Sequence, residues 1–280
     1  MSLIPQPEQP TPTIRSVKLP RHRLRSYGSC LKSVHRPGAH LTLPSDPITV
    51  VCISDTHGTK PPLPPGDILL NAGDLSVWGT CAEIQEQLTW LATQPHRYKV
   101  VIAGNHDLLL DDRFQDKHPK KWRQIMKVAR VDAEEEKARS AEELEWGDII
   151  YLRNTSVTLD LPNARSITIY GSPDTPEYGY SAFQYPRDED VWKKRVPKDT
   201  DIVLTHGPPW GHLDGMKKSG CRFLARETAR VRPRLVVFGH IHVGYGTEEI
   251  VLDGAGETHE AIHEWYGSVW NPSQLHARST

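Results

Sequence analysis

The sequence predicts an α/β fold, and three observations predict it. Ile48 to Ile53 is an unbroken run of six apolar or β-branched residues, the pattern of a strand buried on both faces of a parallel sheet. A helical stretch then lies between two further strand-like runs, and strand–helix–strand order implies a right-handed parallel crossover. Beyond residue 147 the strand signals become short and closely spaced, as in an antiparallel sheet, before two more buried runs close the series.

Taken in order, residues 1–45 are rich in proline and poor in apolar periodicity, which predicts a flexible basic arm. Within 1–40, Arg15, Lys18, Arg21, Arg23, Arg25, Lys32 and Arg36 stand against a single acid, Glu8. A mitochondrial presequence is the competing reading of such a segment. Pro5, Pro7, Pro10, Pro12 and Pro20 break the amphipathic helix it would need, so a plain basic tail on a cytoplasmic protein is expected. The first core strand, Ile48–Ile53, runs into Ser54-Asp55-Thr56-His57-Gly58. Asp55 and His57 are two apart, and in extended chain two such side chains point the same way. The second strand, Asp67 to Gly73, ends in Asp74. Thr80-Cys-Ala-Glu83 reads as a capping box, with Ile84, Leu88 and Leu91 at helical spacing behind it. The third strand, Tyr98 to Ala103, runs into Gly104-Asn105-His106-Asp107.

A charged insert follows at 117–145. Six bases and no acid occupy 117–130, and seven acids against two bases occupy 132–145. Two solvated helices are expected, with Trp122, Ile125, Met126 and Ala129 on one face. Asp148–Leu152, Ser156–Leu161 and Ile167–Tyr170 give the antiparallel strands. Gly171 to Pro176, followed by Tyr178, Tyr180, Phe183 and Tyr185, is read as an aromatic rim or a loop covering the sheet. Asp201–Thr205 is a buried strand ending at His206, Arg222–Val231 is helical, and Arg234–Phe238 is the last buried strand, ending in His240 and His242. Tyr245 to Leu252 reads as one more strand, 256–266 as helix, and the remainder as loose. His212, His259 and His263 are read as surface residues. The organisation is therefore an arm at 1–45, one domain at 46–255 and an extension at 256–280.

Composition narrows the function. A formal net charge of −1 leaves no global field to attract nucleic acid or an anionic membrane, so neither is the expected partner. No run has the length of a transmembrane helix. Cys30, Cys52, Cys81 and Cys221 are scattered without C-x-x-C spacing, which fits reduced thiols. No G-x-G-x-x-G follows the first strand, which argues against a dinucleotide fold.

What the strand ends carry is more specific. Five of them supply Asp55 with His57, then Asp74, then Asn105 with His106, then His206, and then His240 with His242. Open α/β sheets put ligands at these carboxyl ends. Imidazole, carboxylate and one amide oxygen suit manganese, iron or zinc, with magnesium also open, and the lack of thiolates argues against a structural zinc. There are too many such groups for one ion that keeps an open position. Two divalent ions sharing a carboxylate fit the count.

Here the sequence resembles a family. D-x-H (Asp55, His57), G-D (Gly73, Asp74), G-N-H-D (Gly104–Asp107), H-G-P-P (His206–Pro209) and G-H-x-H (Gly239–His242) resemble the calcineurin-like metallophosphoesterases, in the right order across 48–246. Ile102-Ala-Gly-Asn-His, Thr205-His-Gly-Pro-Pro and Val231-Arg-Pro-Arg-Leu-Val-Val-Phe-Gly-His are similar to the metallophosphoesterase-domain-containing (fetal brain protein 239-like) branch, which is linked to cyclic-nucleotide and other phosphodiester hydrolysis. The resemblance implies a four-layer α/β/β/α sandwich of two mixed β-sheets flanked by helices. It implies one metal held by Asp55, His57 and His242, a second by Asn105, His206 and His240, and Asp74 as the bridge. His106 would touch the substrate phosphate and protonate the leaving oxygen, with Asp107 orienting it. Attack by hydroxide held between the cations on a small phosphodiester is the chemistry implied, with no Ser or Cys nucleophile. Some members of the branch lack the first histidine of G-H-x-H; His240 is present here, so a complete second site is expected. A phosphomonoesterase, protein phosphatase or nuclease on the same core is the competing enzyme reading. A non-catalytic scaffold that keeps the fold is the competing class.

Overall fold

The computed structural model describes residues 13–19, 47–162, 164–248 and 250. Its first sheet has the order β1-β2-β3-β4-β5, built from Thr13–Leu19, Ile48–Ser54, Ile68–Asn71, Tyr98–Val101 and Ile149–Tyr151. β2 to β5 are parallel, and β1 pairs antiparallel with β2. The second sheet has the order β11-β10-β7-β6. Its strands are β6 (Thr155–Leu161), β7 (Arg165–Ser172), β10 (Ile202–Thr205) and β11 (Leu235–Val237). β10 is parallel to both neighbours, while β6 and β7 form an antiparallel hairpin, so both sheets are mixed. Between β7 and β10, Thr175–Pro176 (β8) and Gln184–Tyr185 (β9) make a two-residue bridge.

Three separate apolar clusters show how the layers stack. Along β2, Val50 and Cys52 point between the sheets, where they meet Ile68, Leu70, Ile169 and Leu204. Val51 and Ile53 point the other way, against Ile84, Leu88 and Leu91 of α1 (Cys81–Ala92). A third cluster covers the far face of the second sheet, with Val203 against Leu224 and Val231 of α5 (Arg222–Val231). Three interfaces make four layers, helix on sheet on sheet on helix. The all-apolar run Ile48–Ile53 is explained by the same geometry, because both faces of β2 are covered. α1 begins where the capping box places it: the Thr80 hydroxyl accepts from the Glu83 amide, and the Glu83 carboxylate accepts from the Thr80 amide.

The insert is corrected. Its helices, α2 (Phe114–Lys117), α3 (Pro119–Ala129) and α4 (Ala133–Lys137), are the crossover that carries the chain from β4 to the parallel strand β5. They are not simply solvated, because Trp122 and Met126 are buried in the α1 cluster and the Trp122 indole donates to the Ala133 carbonyl at 3.0 Å. The opposite-sign blocks meet at Arg123 with Glu134, 3.5 Å apart, while Lys137 pairs with Asp116 just before the basic block at 2.9 Å. The antiparallel expectation for 148–152 fails for the same reason: a long helical crossover permits a parallel return.

Two expectations at the ends are also corrected. Thr13–Leu19 lies within the arm that was expected to supply no strand, yet its seven residues pair with β2 in register from Thr13 opposite Ser54 to Leu19 opposite Ile48. Tyr245 to Glu248 forms no strand, and a 3₁₀ turn at His242–Gly244 precedes it. The extension at 256–280, with its expected helix, lies outside the described residues, as do His259 and His263.

Candidate metal centre

The parallel strands of both sheets point their carboxyl ends at one place. Asp55 and His57 follow β2, Asp74 follows β3, Asn105 and His106 follow β4, His206 follows β10, and His240 and His242 follow β11. The loops are cross-linked before any side chain is considered: the Asp55 amide donates to the Gly73 carbonyl at 2.9 Å, the His57 amide to Asp74 at 3.0 Å, and the Gly239 amide to His206 at 2.9 Å.

Four of these residues have left-handed backbone, with φ of 54° at Asp55, 43° at His57, 54° at Asp74 and 68° at His240. A residue with a Cβ holds such a conformation at a cost of about 1–3 kcal/mol, and clusters of them mark functional sites. Neighbouring glycines make room for the side chains so aimed. A Cβ on Gly104 would collide with the Asp74 carboxylate and come within 2.6 Å of the His206 ring, and one on Gly239 would collide with the Asp55 carboxylate.

All seven candidate ligands come together. Asp55, His57 and His242 offer ligand atoms within 4.8 Å of one another, and so do Asp74, His206 and His240. Asn105 joins the second group, its Oδ1 lying 2.9 Å from His206 Nε2. Asp74 connects the two groups, with Oδ2 3.7 Å from His57 Nε2 and Oδ1 3.4 Å from His206 Nε2. Asp55, Asp74, Asn105 and His206 are buried, while His57 and His240 are half-buried. His242 stands towards solvent.

The donor chemistry of the cluster fits a cation. His57 Nδ1 lies 3.0 Å from the Ser76 carbonyl and His206 Nδ1 2.8 Å from the Ala72 carbonyl, so these nitrogens carry the hydrogens. Each Nε2 then keeps a lone pair, aimed at carboxylate and amide oxygens that are themselves acceptors. Acceptors converging at 2.9–3.7 Å with no donor among them need a proton or a metal between them. The titration behaviour shows the same demand. Burial opposes a charge on His206, but Asp74 beside it outweighs burial and holds the imidazole up, at about 9. Burial would also raise Asp74, yet the charge and hydrogen bond of His206 hold its carboxyl well below the usual range. Burial, with the charge of His206, pushes His240 down to about 4. Asp55 is likewise held low against burial, chiefly by His242 Nε2 at 3.3 Å.

His106 also adjoins the cluster, where His57, Asp74 and His106 offer ligand atoms within 4.8 Å of one another. Its amide donates to Asp74 Oδ1 at 2.8 Å, and its ring Nδ1 lies 2.9 Å from the Val77 carbonyl, which leaves Nε2 at the rim. Its ring meets that of His57 edge-on at 4.8 Å. The expectation that Asp107 orients His106 is corrected. The fully buried Asp107 carboxylate accepts from the Gly104, Leu75 and Ser76 amides at 2.8, 3.2 and 3.0 Å, and from the Ser76 hydroxyl at 2.7 Å. Burial and then the charge of Asp74 raise its pKa. Asp107 therefore clamps the loop after β3 to the loop after β4, and the Val77 carbonyl orients His106. Sequence reasoning missed Ala72, Ser76 and Val77 because they act through backbone carbonyls, which leave no side-chain signature. The aromatic rim is corrected in part: Phe183 and Tyr185 are buried, and only Tyr178 and Tyr180 are exposed.

A sheet-end cluster of imidazoles and carboxylates whose ligand atoms lie this close together is a candidate metal centre. The chain belongs to the calcineurin-like phosphoesterase family, whose model matches residues 48–244. It is 38% identical over 215 residues to human metallophosphoesterase domain-containing protein 1, covering 73% of this chain and 62% of that protein. A UPF0046 protein of Caenorhabditis elegans is 37% identical over 216 residues, covering 72% of this chain and 53% of that one. A protein of Emericella nidulans named probable rhamnogalacturonate lyase C is 45% identical over 226 residues, 80% of this chain but 20% of its own length. The chain thus spans less than two thirds of these relatives, and the lyase name describes a protein of which the match is a fifth.

Proposed function

We propose that the protein is a dinuclear metal-dependent phosphodiesterase acting on a small phosphodiester of the cyclic-nucleotide type. The observation that carries the dinuclear reading is Asp74, whose two oxygens face different halves of the cluster at 3.7 and 3.4 Å. Under this reading Asp55, His57 and His242 hold one divalent cation, Asn105, His206 and His240 hold the other, and Asp74 serves both. Manganese, iron or zinc suits these donors, with magnesium the harder option. When bound, such a pair supplies a water acidified to near-neutral pKa and positive charge against the phosphate oxygens.

The chain supplies the remainder. Buried carbonyls fix the tautomers of His57 and His206, so their Nε2 lone pairs stay aimed inward. His106, held through Nδ1 by Val77, is free at Nε2 to give a proton to the leaving oxygen as its bond to phosphorus breaks and a water oxygen bonds to phosphorus. The preference for a diester over a monoester is supported by the resemblance of three sequence blocks to the branch linked to phosphodiester hydrolysis. A cytoplasmic setting belongs to the same proposal and is supported by the free thiols of Cys52, Cys81 and Cys221.

The test is elemental analysis of the purified protein beside a panel of matched mono- and diesters. Metal-dependent turnover that favours diesters is expected. Turnover of monoesters alone would overturn the diesterase reading, and full metal content without turnover of either would favour the scaffold.

A further inference from the structure

Among the described residues, β11 is an outer strand of the second sheet. Leu235, Val236 and Phe238, in it and just after it, are half-buried, whereas every residue of its neighbour β10 is buried. Beside β11 lies a cavity of about 260 Å³. Cys52 and Ile53 of β2 line one side of it and Leu235, Val237 and Phe238 the other, so it lies between strands of the two sheets. Ile250 also lines it and is 48% exposed. Asp55 and His242 belong to the same wall, which places the cavity next to the first group of the candidate metal centre. An apolar hollow at the outer strand of a sheet is a surface that a folded chain ordinarily covers.

The chain leads its own continuation to this place. The Tyr245 amide donates to the His242 carbonyl at 3.2 Å, and His212 Nδ1 lies 3.2 Å from Glu248 Oε2. A Cβ on Gly246 would lie 3.2 Å from the Leu213 side chain. Residues 245–248 are therefore held against the loop after β10, and the chain reaches Ile250 on the cavity wall. The family model stops matching at residue 244, before this stretch begins.

The sequence beyond it carries matching chemistry. Ile262, Trp265 and Tyr266 fall at i, i+3 and i+4, the spacing of one helix face, and Glu260 and Glu264 fall on the opposite face. Ile262 is twelve residues on from Ile250, a reach of up to about 40 Å, so distance does not forbid a return to the cavity. From 251 to 264 there are four acids and no base, opposite in sign to Arg234 on the cavity wall. A tethered segment also meets the cavity at a far higher effective concentration than a second copy would.

We infer that the cavity beside β11 is the dock for this chain's own segment 256–266, which inserts Ile262, Trp265 and Tyr266 and closes the hollow next to His242. The inference goes beyond the proposed function and does not depend on it, and none of its tests reads turnover.

Cross-linking in the full chain decides it. Leu235→Cys with Trp265→Cys should form a disulfide on mild oxidation, identified by mass spectrometry of the digested monomer. Leu235→Cys with Glu260→Cys, on the opposite face, should not. Hydrogen exchange gives a second readout. Trp265→Asp should speed exchange of the β11 amides by about 10- to 100-fold, the factor that one buried apolar side chain is worth, and leave β3 unchanged. The dye 8-anilinonaphthalene-1-sulfonate should bind Trp265→Asp and not the wild type. Equal disulfide yields at 265 and 260, no disulfide at either, or unchanged β11 exchange would overturn the dock. A disulfide joining two chains would give the cavity to a second copy, and equal dye binding by both proteins would leave it open to a small apolar ligand. Either result overturns the inference.

Discussion

Asn105 and His106 are neighbours with different work, and their separation is the sharpest statement at the scale of single residues. Asn105 Oδ1 lies among the inward acceptors, 2.9 Å from His206 Nε2, whereas His106 Nε2 stays at the rim. Asn105→Ala should therefore weaken the second cation and lower activity, and excess metal should restore part of it. His106→Ala should keep both cations and slow turnover by about 10²–10⁴-fold, with a smaller loss for nitrophenolate leaving groups that need little protonation. Metal loss in His106→Ala, or an equal defect for good and poor leaving groups, would remove the acid role. Asp107 makes a contrasting case. Its carboxylate receives three buried amides and a hydroxyl, so Asp107→Ala should cost several kcal/mol, at about 1–3 kcal/mol per orphaned donor. Denaturant melts would show the loss, and the leaving-group dependence should stay as in the wild type. A changed leaving-group dependence with unchanged stability would return Asp107 to the role of orienting His106.

At the scale of elements, the pairs most readily read from sequence were those whose pattern is local. The apolar run Ile48–Ile53 announced a strand covered on both faces, and Thr80 with Glu83 announced the start of α1. β1 was not legible, because an edge strand needs hydrogen bonds along one side only and Thr13–Leu19 carries no apolar alternation that would set it apart from the arm. Its pairing predicts that a chain beginning at residue 20 leaves the β2 edge bare. Such a truncation should melt at lower temperature and self-associate more than the full chain, with metal content retained. An unchanged melting temperature would show that the β1 pairing contributes nothing. The insert was misread because charge blocks suggested two solvated helices, whereas Trp122 and Met126 turn α3 inward. Trp122→Ala should cost about 3–5 kcal/mol, read from chemical denaturation.

For the molecule as a whole, both sheets bring their strand ends to the candidate metal centre, and the convergence of its side chains was legible because their chemistry sits at strand ends. The carbonyls and left-handed backbones that aim them were not, since they arise only when β2, β3, β4, β10 and β11 are brought together. The cluster also sets how the metal-free chain responds to pH. His206, raised to about 9, contributes stability that is complete below its ordinary value of 6.5 and is lost as pH rises towards 9. His240, lowered to about 4, contributes in the opposite sense, and its share is lost as pH falls from 6.5 towards 4. Thermal melts of the chelator-treated protein should therefore peak near pH 6.5, and bound metal should flatten the alkaline limb by replacing the His206 proton. The central claim, one carboxylate shared by two cations, is tested most directly by metal stoichiometry after loading and desalting. The wild type should hold two equivalents per chain, His57→Ala and His240→Ala about one each, and Asp74→Ala close to none. A wild type that holds a single equivalent, or an Asp74→Ala protein that still holds two, would contradict the account.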